Sequence, residues 1–147
     1  MMAKLKTTLL NPAWVSFTWF GMTAGVSLLA TPMKFTAPTL TRPVALDVGR
    51  VVFGALNKAE LVALILLLIV VRLSGDARRF WAISALLALI VLTQSVWLLP
   101  ELAERAQMVV SGVEPAPSIA HGVYSTLELL KLGLLLYLGF SSLRAGT

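Results

Sequence analysis

Long apolar runs separated by short polar stretches make up most of this chain. Spans are predicted at residues 13–33, 51–72, 80–99 and 122–143. Each run has the length of about 20 residues that a helix needs to cross a bilayer. The pattern therefore predicts an all-α integral membrane four-helix bundle, formed by a single membrane domain over residues 1–147. The first run lacks a small residue three positions before its candidate cleavage site, which favours a retained helix over a signal peptide.

The second span differs from the others because it carries charge. The helical pattern runs without a stop from residue 43 to residue 73, longer than the hydrocarbon core of about 30 Å requires. Its uncharged part, residues 61–71, is too short to cross the bilayer alone. If this helix spans the membrane, it takes Lys58 and Glu60 into the bilayer.

Composition agrees with a membrane protein and excludes several classes of chemistry. Hydrophobic residues make up 58% of the chain and charged residues 13%, against about 25% charged in soluble domains. The net charge of +5 comes from basic residues near the ends of apolar runs, which indicates lipid contact and not nucleic-acid binding. With no cysteine, one histidine and no catalytic motif, we predict no metal, no cofactor and no catalytic residue.

The distribution of basic residues predicts the orientation. Four spans put both termini on one side, together with six basic residues against four on the other. The six are Lys4, Lys6, Arg72, Arg78, Arg79 and Arg144. Because basic residues accumulate on the cytoplasmic side, we expect both termini there, in the inner membrane of a bacterium.

Polar residues of all four spans fall at one depth. Counting about 1.5 Å per residue from the cytoplasmic helix ends places them in the outer half of the bilayer. The predicted cluster consists of Asn57, Lys58, Glu60, Gln94, Ser125, Glu128 and Lys131, with Thr23 and Ser27 at the same depth. Opposite charges predict the pairs Lys58–Glu128 and Glu60–Lys131. Since Lys58 and Glu60 lie about 200° apart around a helix, at most one of these pairs can be ideal.

The polar residues of the second and fourth spans form stripes. His121, Tyr124, Ser125, Glu128 and Lys131 share one face of the fourth helix, because they are spaced by about three or four residues. Asp47 and Arg50, with His121, are predicted to form the mouth of a groove open to the outside. The layer has two interpretations, a structural ion-pair network or a site for a ligand or ion.

The first span contains a candidate packing motif. Gly21 and Gly25 form a GxxxG pattern, which lets a second helix approach closely. It indicates either packing within the chain or contact with another protein.

Several short motifs resemble a known family. Lys34-Phe35, Pro38, Val48-Gly49-Arg50 and Val52-Phe53, with His121-Gly122 and Ser125, resemble the small four-span membrane proteins grouped with transmembrane protein 205. The resemblance implies a four-helix membrane bundle without cofactor or catalytic residue. Lys58 and Glu128 depart from the pattern of this family.

The chain is small and has little mass outside the predicted spans. We therefore expect a non-catalytic accessory or assembly subunit that packs against a larger membrane complex, in contact with lipid and with other membrane subunits. The alternative is a small transporter or binding protein for a proton or polar solute that uses the Lys/Glu cluster. A membrane enzyme is a third hypothesis, with His121 and Glu128 as its acid or base.

Overall fold

A computed structural model describes residues 11–74 and 77–145. Within these residues the secondary structure is helical throughout, with no strand. Helix α1 spans Pro12–Lys34, α2 Arg42–Leu73 and α4 Ala120–Ala145, while α3 consists of the consecutive segments Ala77–Thr93, Gln94–Leu98 and Leu99–Val110. The all-α prediction is confirmed. All four helices are long and apolar enough to cross a membrane, which is compatible with an integral membrane protein. The predicted tail with Lys4 and Lys6 and the turn residues Gly75 and Asp76 lie outside the described residues.

The helices form a closed ring in chain order. Helix α1 packs against α2 and α4, and α3 also packs against α2 and α4, so α2 and α4 lie diagonally across the bundle. The start of α1 meets the end of α4, where Asn11 Nδ2 donates a hydrogen bond of 3.2 Å to the Ser142 carbonyl. Asn11 also caps α1, since its side-chain oxygen accepts the Ala13 N–H at 2.9 Å.

Two apolar clusters fill the bundle. The larger lies toward the end marked by Asn11 and consists of Trp19, Leu64, Leu67, Val71, Phe80, Leu87, Val91, Leu135 and Leu138. The smaller, toward the opposite end, contains Leu98, Ala120 and Tyr124, with Phe53 packed edge-on to Tyr124 at 5.6 Å between ring centroids. Tyr124 is thus buried inside the bundle. Trp14, Trp81, Trp97 and Tyr137 are exposed on the outside of the bundle.

The prolines of α1 and α3 do not end their helices. Helix α1 continues through Pro32 to Lys34, and α3 continues through Pro100 to Val110. Residues 101–110, which follow the predicted third span, therefore continue the same helix.

A wider helical turn precedes each of these prolines. Gly25–Ala30 and Gln94–Leu98 are π-helical. The Thr31 N–H bonds to the Val26 carbonyl, and the Leu99 N–H bonds to the Gln94 carbonyl, each five residues back. A proline has no N–H to donate, and its ring crowds the carbonyl four residues earlier. The π turn gives that carbonyl room, so the chain stays helical.

Candidate functional site: a buried polar cluster that joins four helices

Glu60 of α2 receives hydrogen bonds from two other helices and is 1% exposed. The Glu60 Oε1 atom lies 2.6 Å from Lys131 Nζ of α4. The same oxygen accepts the Thr23 hydroxyl at 2.8 Å and the Trp19 indole N–H at 3.1 Å, both from α1. Each donor lies on the face of its helix that also carries the apolar core. Glu60 therefore holds α1, α2 and α4 together at one point.

Glu128 of α4 has a second set of partners and is 3% exposed. Its Oε2 atom lies 2.8 Å from Lys131 Nζ, three residues along the same helix. Oε2 also accepts a hydrogen bond of 2.9 Å from the Gln94 side-chain N–H of α3. Oε1 lies 2.7 Å from the Ser27 hydroxyl of α1. Through these contacts the cluster reaches all four helices.

Lys131 lies at the centre of the cluster and is fully buried. Its Nζ atom contacts Glu60 Oε1 at 2.6 Å, Glu128 Oε2 at 2.8 Å and Gln94 Oε1 at 2.9 Å. An ammonium group has three protons to donate. Each of these three protons therefore has an acceptor.

The cluster contains two carboxyl groups, of Glu60 and Glu128, and one amine, of Lys131. With Glu60 and Glu128 both ionised and Lys131 protonated, the net charge would be −1. A buried ion pair costs desolvation, which is offset only when the remaining hydrogen bonds are satisfied. The bonds from Trp19, Thr23, Ser27 and Gln94 meet this condition.

The structure contains one of the two predicted ion pairs but not the other. Glu60 and Lys131 form the pair that matched depth predicted. The prediction of a Lys58–Glu128 pair is wrong, because Lys58 is exposed on the outside of α2 and Glu128 pairs with Lys131. Two residues along a helix turn through about 200°, so burying Glu60 places Lys58 on the outer surface.

Two other predicted members lie outside the cluster. The Asn57 amide donates a hydrogen bond of 2.8 Å to Ser95 Oγ, which forms a separate bridge between α2 and α3. Ser125 is exposed, and its hydroxyl donates to the His121 carbonyl of its own helix at 2.9 Å. Of the seven predicted residues, Glu60, Gln94, Glu128 and Lys131 come together.

The predicted outer mouth does not form as a groove lined by Asp47, Arg50 and His121. Asp47 and Arg50 pair with each other at 2.8 Å on the surface of α2, and His121 is exposed. A shallow open cavity of about 480 Å³ lies at this end, but other residues line it. They are Ser118, Ile119, Gly122, Val123, Thr126 and Leu127. Within residues 11–74 and 77–145, no group of three His, Cys, Asp or Glu side chains is arranged to hold a metal ion.

The predicted glycine packing site is in a different place. Gly21 and Gly25 are exposed, and a Cβ atom built on either would meet nothing within 4 Å. Packing within the described chain is therefore not their role, and contact with another protein remains the open interpretation. The close contact is at Gly139 of α4, where a Cβ would lie 2.7 Å from Phe17 Cε1 of α1.

Sequence reasoning missed Trp19 as a member of the cluster. Trp19, Thr23 and Ser27 recur at every fourth position of α1, so they share one face. This spacing was visible in the sequence. The partner of Asn57, Ser95, lies in the π-helical segment of α3, whose wider turn no simple periodicity predicts.

Comparisons with known proteins give no indication of function, so the function is inferred from the geometry of the polar cluster and of the helix surfaces. No family model matches the chain, and no curated protein or solved structure is significantly similar to it. The resemblance to the transmembrane protein 205 group stays a prediction.

Proposed function

We propose that this protein is a non-catalytic accessory or assembly subunit that packs against a larger complex in a bacterial inner membrane, with both termini in the cytoplasm. The observation that carries the proposal is the outward position of Gly21 and Gly25. Both lie on the exposed side of α1 with open space where a Cβ would be. A helix of another subunit could approach the α1 backbone closely there, as small residues allow in membranes.

The closed state of the polar cluster supports a subunit over a carrier of polar solutes. Glu60, Gln94 and Lys131 are at most 1% exposed, and their polar contacts are made to one another and to neighbouring helices. Apolar clusters lie on both sides of this layer. A solute would have to break these bonds to enter, so the layer acts as a clamp that fixes the order of the helices.

The experiment is affinity purification of the full chain from its native membrane in mild detergent. We expect a partner in fixed stoichiometry that is lost when Gly21 and Gly25 are both changed to Leu. The matched control is Gly133→Leu, since Gly133 of α4 is also exposed with nothing within 4 Å of a Cβ. The control should keep both fold and partner. A chain that purifies alone, or a partner that survives the double substitution, would contradict the proposal.

A second candidate function is the binding or transport of a proton or small ion by the cluster. The specific observation in its favour is the presence of two carboxylates, Glu60 and Glu128, around a single ammonium. Ionisable groups within spanning helices often mark proton or ion pathways.

A further inference from the structure

We propose that the cluster holds one exchangeable proton, bound to Glu128 Oε1 and donated to the Ser27 hydroxyl. This inference rests on the second candidate function, for which it names the ligand and the atom, and it is independent of the subunit role. Two observations support it. One is the count of charged groups in the cluster, and the other is that some of its atoms can donate hydrogen bonds but cannot accept them.

The charge count requires a positive charge that the buried side chains do not supply. Among the described residues, the titratable groups near Glu128 besides Lys131 are Glu60 from α2 and Tyr124 one turn away on α4. Helices α1 and α3 contribute only uncharged groups to the cluster, from Trp19, Thr23, Ser27 and Gln94. An isolated negative charge in an apolar interior is costly, and such a group becomes neutral instead. One proton makes the cluster neutral.

Glu60 is a poor place for this proton. Its Oε1 atom accepts from Lys131 at 2.6 Å and from the Trp19 indole at 3.1 Å. Neither an ammonium nor an indole N–H can accept a hydrogen bond. The Thr23 hydroxyl is a further donor to the same oxygen, at 2.8 Å. A proton on that oxygen would displace at least one of these bonds, and a proton on Glu60 Oε2 would find no acceptor among the hydrogen bonds of the described residues.

Glu128 Oε2 is occupied in the same way. Because Lys131 can only donate, the Gln94 carbonyl oxygen must face Lys131, which turns the Gln94 NH₂ toward Glu128. Glu128 Oε2 therefore accepts from Gln94 and from Lys131.

Glu128 Oε1 is different, since its partner is a hydroxyl 2.7 Å away. A hydroxyl can donate or accept. Protonation of Oε1 reverses this one hydrogen bond and leaves every other contact of the cluster in place.

Ser27 is only half-buried and lies in the π-helical segment of α1, at the edge of the cluster. Release breaks the O–H bond of the carboxylic acid, leaves the electron pair on Glu128 Oε1 and forms hydronium from water. Uptake is the reverse step, and neither direction needs an oxidant or reductant.

The test is pH-dependent infrared difference spectroscopy on the full chain in lipid nanodiscs. We expect the wild type to show a protonated-carboxyl C=O band at pH ~7, where a glutamic acid in water is ionised. The band should be absent in Glu128→Gln. In Ser27→Ala it should move to higher frequency, because the acid loses its acceptor. In the matched control Thr23→Val, where the altered hydroxyl contacts Glu60, it should not move.

The possible outcomes test separately whether the proton is present, which residue binds it and what the protein does. Absence of the band in the wild type at pH ~7 would overturn the proposal, as would a band that moves in Thr23→Val and not in Ser27→Ala. Thermal stabilisation of the wild type by sodium ions, absent in Glu128→Gln, would assign the charge to a metal cation and also overturn it. If Ser27→Ala does not fold, the wild type and Glu128→Gln still decide. Partner capture through Gly21 and Gly25 is measured separately, so the two proposals fail separately.

Discussion

Lys131 Nζ lies 2.6 Å from Glu60 Oε1, although their helices are diagonal neighbours in the bundle. The ion pair therefore crosses the centre of the molecule. Lys131 reaches it with a fully buried side chain, and Gln94 and Glu128 occupy its remaining donors. One residue thus connects the helices that do not pack side by side. This arrangement makes Lys131 the position at which substitution should be most damaging.

We expect Lys131→Met to lower the free energy of unfolding by about 3–5 kcal/mol, because the buried Glu60 and Glu128 carboxyl groups lose the cation that contacts both of them. The matched control is Lys58→Met, since Lys58 is exposed on α2. It should change stability by no more than about 0.5 kcal/mol. Denaturant titration in detergent micelles measures both. Equal losses in the two variants would show that the cluster does not hold the bundle together.

Trp19→Phe tests a single donor to Glu60. The substitution keeps an aromatic ring in the apolar core but removes the indole N–H at 3.1 Å from Glu60 Oε1. We expect a loss of about 1–2 kcal/mol, in the range for hydrogen bonds to buried charged groups. Trp81→Phe is the control, because Trp81 is 53% exposed and lies on the outside of α3. An unchanged unfolding midpoint for Trp19→Phe would rule out the hydrogen bond as a source of stability.

Gly139→Ala tests the contact between α1 and α4. The added Cβ would lie 2.7 Å from Phe17 Cε1, and Phe17 also packs edge-on against Phe140 at 5.2 Å between ring centroids. Overpacking of this kind costs about 1–3 kcal/mol, partly offset by the better helix propensity of alanine. Gly21→Ala meets no atom within 4 Å and should not destabilise. Thermal unfolding in detergent compares them, and a Gly139→Ala protein as stable as the wild type would refute the close contact.

The bridge between α2 and α3 is suited to a double-mutant cycle. Asn57 Nδ2 donates to Ser95 Oγ at 2.8 Å, and Ser95 Oγ donates in turn to the Val91 carbonyl at 2.7 Å. Asn57→Ala and Ser95→Ala should show a coupling energy of about 0.6 kcal/mol, typical of interhelical hydrogen bonds in membranes. Strict additivity of the two substitutions would contradict the bridge.

Depth along a helix could be predicted from the sequence, whereas direction around it could not. A constant rise per residue placed Glu60, Gln94, Glu128 and Lys131 in one layer, and the structure brings these four together. The same count placed Lys58 in the layer, yet Lys58 is exposed. Its angle of about 200° from Glu60 meant that one of the two had to point outward. Only the packing of α2 against its neighbours selects which one.

The helices around the two prolines show a second feature that helical periodicity does not predict. Proline disrupts a regular α-helix, and Pro32 and Pro100 lie at the ends of the predicted first and third spans. In the bundle each of the two helices accommodates its proline with a π-helical turn. Ser27 and Gln94 lie in those turns. The extra residue per turn changes the direction of each following side chain, which an α-helical periodicity does not include.

Hydrophobic length and residue type by themselves determined four helices long and apolar enough to cross a membrane. They also determined the level of the polar groups along these helices, because that level follows from the rise per residue. Only the tertiary structure decided that α2 and α4 lie diagonally opposite each other and that Lys131 contacts two carboxyl groups. It also decided that Gly21 and Gly25 face outward. Those features depend on the rotation of each helix about its axis. The rotation is fixed by contacts between helices far apart in sequence and not by any local pattern.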